Sequence, residues 1–258
     1  LLFYVSLSWP VFEEDRSYAH VAEDQQARYI IEFERCSDVT GNCYTVYDTI
    51  DVFTGDVNRF LIADGYQEGH ETAVRLIPPA GIKSEQSDSR FWRVNHTHIH
   101  SQYVAVMLTA PFALSSLSLS SDQQLNAKIL IIGLGGGSMH MFLTSQFPKI
   151  TVTGVELDPV VVELARRWFG LAKNSSNVRI ITMDGVEYIK KAAKRKELFN
   201  VVLIDACTKR GILACPSDPF TLPNFLNSVM EILEPTGVVV VNILSHDDSS
   251  NEVDEGLL

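Results

Sequence analysis

A glycine cluster directly follows the apolar run 129–132 and consists of Gly133, Gly135, Gly136 and Gly137. Glycine lets the backbone turn tightly and approach a ligand closely, so a strand, a glycine loop and a helix in succession are typical of nucleotide-cofactor sites. The dinucleotide-binding pattern requires a further glycine where Ser138 stands. A tight strand–helix turn without a ligand would also explain the cluster, so both interpretations stay open at this point.

Acidic residues follow the next apolar segment. Glu156 lies about 20 residues beyond the glycine loop, where a carboxylate can accept hydrogen bonds from both hydroxyls of a ribose. Asp158 precedes Pro159, which is the usual arrangement of a helix N-cap followed by proline at the first helical position. We therefore assign Glu156 to a ligand and Asp158 to capping. The alternative for Glu156 is a solvated carboxylate at a strand end.

Two more carboxylates stand at the ends of later apolar segments. Asp184 can accept a hydrogen bond from an adenine amino group, and the backbone amides of Gly185 and Val186 can meet the ring. Asp184 is also a good helix N-cap, and the two roles are compatible. Asp205 follows the apolar run 201–204, at the carboxyl edge where open α/β sheets bind ligands. Its alternative is a strand-end acid that is bonded only to loop amides.

Four successive strand ends that each carry a residue suited to binding a nucleotide-like ligand indicate such a site more specifically than any one of them does. A nicotinamide dinucleotide enzyme would share the first two but does not require Asp184. The combination therefore predicts an adenosyl cofactor. We assign to its site Gly133, Gly135, Gly136, Gly137, Glu156, Leu157, Asp184, Gly185, Val186 and Asp205. Asp205 is in addition the catalytic candidate.

The elements that would position these residues alternate between strand and helix from residue 128 onward. Segments such as 129–132 and 238–241 are apolar on both faces, which is typical of a parallel sheet buried between helices. The predicted strands are 128–133, 151–157, 177–184, 199–206 and 237–244. The predicted helices are 96–114, 138–147, 159–169, 185–196 and 221–233. The fold class is thus α/β, with a Rossmann-type core over residues 96–258.

Residues 1–95 differ from this core because they consist of strands and turns. Segments 29–34, 44–53 and 59–63 are rich in residues that favour strands, and breaks such as Thr54-Gly55-Asp56 separate them. We predict a small β-rich N-terminal region that precedes the core.

The net charge of −11 over 258 residues argues against broad nucleic-acid binding and suits a cationic substrate. The chain contains no stretch of 18 uncharged apolar residues, so we predict no membrane span. His96, His98 and His100 alternate but lack an evident carboxylate partner, so we expect no metal site.

The four cysteines fit neither a zinc pattern nor a disulfide framework. We interpret Cys36, Cys43, Cys207 and Cys215 as reduced thiols of a cytoplasmic protein, although Cys36 and Cys43 could pair across a loop.

The chain resembles the spermidine synthase-like methyltransferase superfamily. The resemblance rests on residues 130–138, 155–159, 168–170, 184–189 and 233–237. Within this superfamily it is most similar to the C-terminal domain of the eukaryotic dual methyltransferases that modify a lysine and the N-terminus of elongation factor 1-alpha. A complete sheet of this type continues with two further strands, so the core 96–258 could be truncated after its fifth strand.

The resemblance implies a methyltransferase that uses S-adenosyl-L-methionine and acts on a protein amine, with elongation factor 1-alpha as a candidate partner. The synthases carry acids where this chain has Ser138-Met139 and Thr208, and their tyrosine-histidine-glutamate run is replaced near residues 104–106. Asp205 is then the one acid left for the acceptor amine. The alternatives are an aminopropyltransferase and a non-catalytic adapter that keeps the fold. The sequence leaves open whether the protein forms a homodimer.

Overall fold

An antiparallel sheet of five strands forms the N-terminal part of the structure. The computed structural model describes residues 25–64, 71–81, 87–119, 126–173, 176–208 and 213–245. The strands pair in chain order: β1 (Gln25–Cys36), β2 (Cys43–Asp51), β3 (Val57–Ala63), β4 (Thr72–Ile77) and β5 (Arg93–Val94). The predicted β-rich region is therefore confirmed, and β4 and β5 extend it beyond the three predicted segments.

A parallel sheet with helices on both faces forms the rest of the chain and confirms the predicted fold class. The helices are α1 (Gln102–Ala113), α2 (Ser138–Gln146), α3 (Pro159–Trp168), α4 (Gly185–Lys194) and α5 (Pro223–Met230). The strands are β6 (Lys128–Ile132), β7 (Thr151–Glu156), β8 (Val178–Thr182), β9 (Phe199–Ile204) and β11 (Leu233–Val241). Their order is β11-β9-β6-β7-β8, so the strand order reverses at β6.

The central strand β6 shows why the apolar runs are continuous. Ile129 and Ile131 pack into a core with α1 and α2, through Met107 and Leu143 among others. Leu130 and Ile132 face the opposite core, which is built from α4 and α5. Because successive side chains of a strand point to opposite faces, a strand covered on both sides must be apolar at every position.

Two predicted helices differ from the structure at their ends. The helix predicted over 96–114 begins only at Gln102, because Ser101 has extended backbone and residues 96–100 form a loop. The helix predicted over 221–233 is shortened to α5, since Leu233 already belongs to β11 and pairs with Phe199. The strand predicted over 237–244 ends at Val241 in the structure, and Leu244 instead belongs to a short antiparallel pair that was not predicted, β10 (Leu213–Cys215) with β12 (Leu244–Ser245).

The N-terminal sheet packs directly on α3, and apolar side chains such as Val46 and Leu61 share a core with Leu164 and Phe169. Arg59, which is 2% exposed, donates to both oxygens of Asp48 at 2.7 and 2.9 Å and to the carbonyl of Trp168 at 2.8 Å. The guanidinium thus lies at the C-terminal end of α3, where the helix dipole favours a positive charge. The predicted division near residue 95 stays a prediction.

Within the described part of the chain, none of the helices is both long and apolar enough to cross a membrane.

Candidate active site

The carboxyl ends of β6, β7, β8 and β9 meet at one edge of the parallel sheet. The amide of Gly133 donates to the carbonyl of Val155, and the amide of Asp205 donates to the carbonyl of Ile132. The segments that leave β6, β7 and β9 therefore start side by side at the position where the strand order reverses. Open α/β sheets bind ligands in the crevice at such a position.

The glycine loop requires backbone conformations that favour glycine at three positions. Gly133, Gly135 and Gly137 have φ angles of +96°, +51° and +81°. A Cβ on Gly133 would overlap the backbone carbonyl of Asp205, so the loop passes directly against the end of β9. Gly137 is the N-cap of α2. The predicted cofactor contacts of Gly133, Gly135 and Gly137 stay predictions.

Gly136 lies inside the protein. Its amide donates to the hydroxyl of Thr72 at 2.7 Å, and a Cβ would come within 2.7–2.9 Å of Phe169 and Thr72. The start of β4 therefore covers the glycine loop, and a side chain on Gly136 would disturb the packing of the N-terminal sheet. The cofactor contact predicted for Gly136 stays a prediction, and a substitution there would test folding as much as binding.

Glu156 ends β7 and uses both carboxylate oxygens to hold the backbone around it. One oxygen accepts the amide of Leu134 at 3.0 Å, and the other accepts the amide of Asp158 at 2.8 Å. Burial raises the pKa of Glu156, and the two amide donors counteract this rise. A carboxylate offers about four lone-pair positions, so the half-buried Glu156 keeps acceptor capacity for ribose hydroxyls. The following Leu157 is 48% exposed beside it.

We expect Glu156→Gln to weaken binding of S-adenosylmethionine by about 1–3 kcal/mol, because a neutral amide cannot accept both ribose hydroxyls while it also serves two backbone donors. Calorimetric titration measures this as a roughly 5- to 150-fold rise in Kd. Glu187→Gln makes the same change on the exposed surface of α4 and is the control. A rise of less than twofold would remove Glu156 from the ribose site.

Asp184 caps α4, since its side chain accepts the amide of Glu187 at 2.8 Å. The side chain is exposed, so it can cap the helix and still contact an adenine amino group, and that contact stays a prediction. Phe220 is a residue that the sequence reasoning missed. Its ring would lie 3.2 Å from a Cβ on Gly185, and it packs edge-on against Phe225. The Phe220 ring thus lies beside the backbone of Gly185 at the N-terminus of α4.

Asp205 lies just beyond β9 and is held from two sides. One carboxylate oxygen accepts the side-chain amide of Asn242 at 2.9 Å, and the other contacts the hydroxyl of Tyr103 at 3.5 Å. Burial raises the pKa of Asp205, and burial together with the Asp205 charge raises the pKa of Tyr103. The half-buried carboxylate is thus oriented and more basic than an ordinary aspartate, as a group that accepts a proton requires.

Asn242 and Tyr103 were not among the predicted site residues. Asn242 follows β11, but the strand was predicted over 237–244, so the reasoning applied to the other four strand ends did not reach it. Tyr103 belongs to α1, which is distant from Asp205 in the sequence. Its hydroxyl, on a mostly apolar helix, is the only sequence feature that could have indicated a role in the site.

The prediction of four reduced cysteines is wrong in the structure. Cys36 is bonded to Cys43, and Cys207 is bonded to Cys215. Cys36 and Cys43 pair across the turn between β1 and β2, which is the alternative that the sequence left open. The pair Cys207–Cys215 spans a short loop and was not anticipated. Disulfides persist mainly in oxidising compartments, so the predicted cytoplasmic location loses this support and stays untested.

The disulfide Cys207–Cys215 closes the loop that follows Asp205. The amide of Thr208 donates to the carbonyl of Ala214 at 2.7 Å, and the amide of Ser217 donates to the carbonyl of Ala206 at 2.9 Å. Residues 209–212 of this loop lie outside the described residues. The loop stands at the edge where acceptor sites of α/β enzymes are built, so we predict that its shape influences acceptor choice.

We expect a Cys207→Ser/Cys215→Ser variant to raise the KM for the acceptor and to lower the free energy of unfolding by about 2–3 kcal/mol, because opening the loop restores chain entropy. Steady-state kinetics and urea unfolding measure the two effects. The Cys36→Ser/Cys43→Ser variant opens a similar loop on the N-terminal sheet, and at saturating cofactor it should leave the acceptor KM unchanged. Equal acceptor KM values in all three proteins would show that the Cys207–Cys215 loop does not select the acceptor.

The alternating histidines lie next to the N-terminal sheet. The ring of His100 packs edge-on against Phe60, and burial lowers the pKa of His96, His98 and His100. Across the described ranges, the structure brings together no group of three histidine, cysteine or acidic side chains that could hold a metal ion.

Comparison with known proteins identifies the relatives of this arrangement. The human eEF1A lysine and N-terminal methyltransferase is 35% identical over 124 residues, which are 46% of this chain and 18% of that protein. The polyamine aminopropyltransferase of Vibrio vulnificus is 37% identical over 118 residues, which are 46% of this chain and 38% of that protein. The matched segment thus covers only 17–24% of the length of the eEF1A methyltransferases.

Among solved structures, human Methyltransferase-like protein 13 in complex with SAH superimposes with a TM-score of 0.52 at 30% identity, over 57% of this chain and 67% of that one. The model of the spermine/spermidine synthase domain matches residues 113–253, which are more than half of the 258 residues. The resemblance inferred from the sequence is therefore confirmed, and the chain belongs to the spermine/spermidine synthase domain family.

Proposed function

We propose that this chain is an S-adenosylmethionine-dependent methyltransferase that acts on a protein amine, either an N-terminal α-amine or a lysine. The observation that carries the proposal is the placement of two carboxylates at the same sheet edge. Glu156 and Asp205 end the strands on either side of β6, so they flank the glycine loop that β6 leads into. Glu156 has capacity for a ribose, and Asp205 is poised to accept a proton.

The residues that would hold the cofactor fit an adenosyl group. Glu156 keeps lone pairs for the ribose, and Asp184 with the backbone after it meets the adenine beside Phe220. When bound, S-adenosylmethionine supplies a methyl group on a sulfonium that is already an activated leaving group. Catalysis then consists mainly of aligning the lone pair of the attacking amine with the methyl carbon.

Asp205 would perform the remaining task, which is to bind and deprotonate the acceptor amine. An α-amine has a pKa near 8 and a lysine near 10.4, so both are largely protonated at neutral pH. The carboxylate can hold the ammonium, accept a proton directly or through water, and orient the nitrogen lone pair. The new bond is N–CH₃ and the bond that breaks is S–CH₃, while the proton leaves through Asp205. The net charge of −11 favours the approach of a cationic acceptor.

The relatives support two candidate functions, and the residues at the site favour methyl transfer. The name of the human relative states that it methylates a lysine and the N-terminus of eEF1A, which makes eEF1A the first acceptor to try. The family match and the bacterial aminopropyltransferase favour the second candidate, an aminopropyltransferase. The residues at the site oppose it, because Ser138 and Thr208 stand where the synthases carry acids that handle polyamines.

A transfer assay with S-adenosylmethionine labelled in its methyl group tests the proposal. We expect label in eEF1A, or in peptides that carry its N-terminus or its lysines, and none in putrescine. The parallel reaction with decarboxylated S-adenosylmethionine and putrescine should yield no spermidine. Spermidine formed at enzymatic rates would establish the aminopropyltransferase instead.

A further inference from the structure

The N-cap of α3 is bonded far more extensively than capping requires. Asp158 is 2% exposed, and its Oδ1 accepts the amide of Val160 at 2.9 Å, which is the ordinary cap. Its Oδ2 accepts two further hydrogen bonds, from the hydroxyl of Thr40 at 2.6 Å and from the hydroxyl of Tyr44 at 2.8 Å. Hydrogen bonds to a carboxylate are short and strong, so these two donors fix the Asp158 side chain.

Both donors come from one tightly closed hairpin of the N-terminal sheet. Thr40 lies in the turn between β1 and β2, and Tyr44 is a buried residue of β2. The disulfide between Cys36 and Cys43 closes this turn. Within it the amide of Ser37 donates to the carbonyl of Asn42 at 2.8 Å. The hairpin is thus a rigid support, although it lies more than 110 residues before Asp158 in the chain.

Asp158 also connects this support to the candidate ribose site. Its backbone amide donates to Oε1 of Glu156 at 2.8 Å, so the orientation of the Asp158 peptide sets one of the two hydrogen bonds that aim the Glu156 carboxylate. The other bond comes from Leu134 in the glycine loop. A shift of Asp158 would turn its amide away and leave Glu156 held from one side only.

We propose that Thr40 and Tyr44 are positioning residues for the cofactor: through Asp158 they hold the Glu156 carboxylate in the orientation that receives the ribose hydroxyls. The proposal rests on the proposed function for its ligand, and it makes the N-terminal hairpin a part of the cofactor site. A hairpin that merely attaches the sheet to α3 would stabilise the fold without affecting ribose recognition.

A double-mutant cycle separates these roles. We expect Tyr44→Phe to weaken SAH binding about 5- to 10-fold by calorimetry, of the order of one ordinary hydrogen bond, because the lost bond acts on the ribose only through Asp158. In a Glu156→Ala background the same change should weaken binding less than twofold, since coupled residues are not additive. Thr40→Val should behave like Tyr44→Phe, and Thr40→Ser, which keeps the hydroxyl, should restore binding. Tyr47→Phe removes a hydroxyl from the same strand, keeps both donors to Asp158, and is the matched control.

A second readout needs no cofactor and keeps the proposal distinct from the proposed function. The amide of Asp158 lowers the pKa of Glu156 more than the charge of the Asp158 carboxylate raises it. Loss of that amide bond in Tyr44→Phe should therefore raise the pKa of Glu156 in the free protein, as followed by carboxyl ¹³C NMR, whereas Tyr47→Phe should not. Equal losses of binding in both backgrounds, or an unchanged Glu156 titration in Tyr44→Phe, would overturn the positioning role. If the wild type binds no SAH, the proposed function fails, and the titration alone decides whether the hairpin aims Glu156.

Discussion

Replacing Asp205 with asparagine is expected to lower the rate of methyl transfer by roughly 10²–10⁴-fold, which is the usual contribution of a positioned general base. Asparagine keeps the shape of the side chain, and its oxygen can still accept the side-chain amide of Asn242 while its own amide group faces the oxygen of Tyr103, but it cannot take a proton from the acceptor amine. Single-turnover kinetics with labelled S-adenosylmethionine measures this loss directly. Cofactor affinity should change little, because the predicted ribose and adenine contacts lie on β7 and α4.

The pH profile gives this prediction a second test. Burial raises the pKa of Asp205, so the wild-type rate should fall with decreasing pH at a higher pH than an ordinary aspartate would produce. The protonated acid can no longer accept a proton, which is why activity is lost on the acid side. Asp205→Asn should lack this acid limb. If the variant instead loses cofactor binding, the cofactor contact also predicted for Asp205 is its main role, and if neither rate nor binding changes, it is only a strand-end acid.

Gly133→Ala is expected to destabilise the fold by more than the ~3 kcal/mol that bounds most single substitutions. Gly133 has a φ of +96°, and a Cβ there would overlap the carbonyl of Asp205, which is backbone and cannot move aside. The variant must therefore separate the glycine loop from the end of β9. Urea unfolding followed by circular dichroism measures the loss, and any folded fraction should bind S-adenosylmethionine poorly.

Gly55→Ala is the matched control because it isolates the conformational part of the effect. Gly55 has a φ of +71°, and a Cβ there would meet no atom within 4 Å. It should cost about 1–2 kcal/mol, the strain of a left-handed conformation alone. If Gly133→Ala costs no more than Gly55→Ala, then the glycine loop does not depend on close contact with Asp205.

The sequence was sufficient to predict the parallel sheet because burial on both faces forces an apolar residue at every position of strands such as β6. The chain order of the strand ends also predicted which side chains share an edge, since parallel strands all end on the same side. Glu156 and Asp205 could therefore be assigned to one crevice without coordinates. Capping was equally local, and Asp158 and Asp184 both cap helices as their spacing indicated.

Features that depend on contacts between distant segments could not be predicted in this way. Thr72 covers Gly136 from a strand that precedes it by more than 60 residues. Gly136, which the sequence assigned to the cofactor site, is therefore partly enclosed by protein. Tyr103 reaches Asp205 from α1 across 102 residues of chain. The Cys207–Cys215 disulfide follows from a loop geometry that spacing does not encode. Each contact joins residues that are close in space, and the local hydrophobic periodicity of the sequence does not indicate which residues will meet.

Calorimetric titration of the wild-type chain tests the central claim most directly. The titrants are S-adenosylmethionine, decarboxylated S-adenosylmethionine, and the latter together with putrescine. The account predicts that S-adenosylmethionine binds most tightly and that putrescine adds no affinity for the decarboxylated form. Preference for the decarboxylated form with putrescine would mark an aminopropyltransferase, and binding of none of them would mark a non-catalytic adapter; either result would contradict the methyltransferase account.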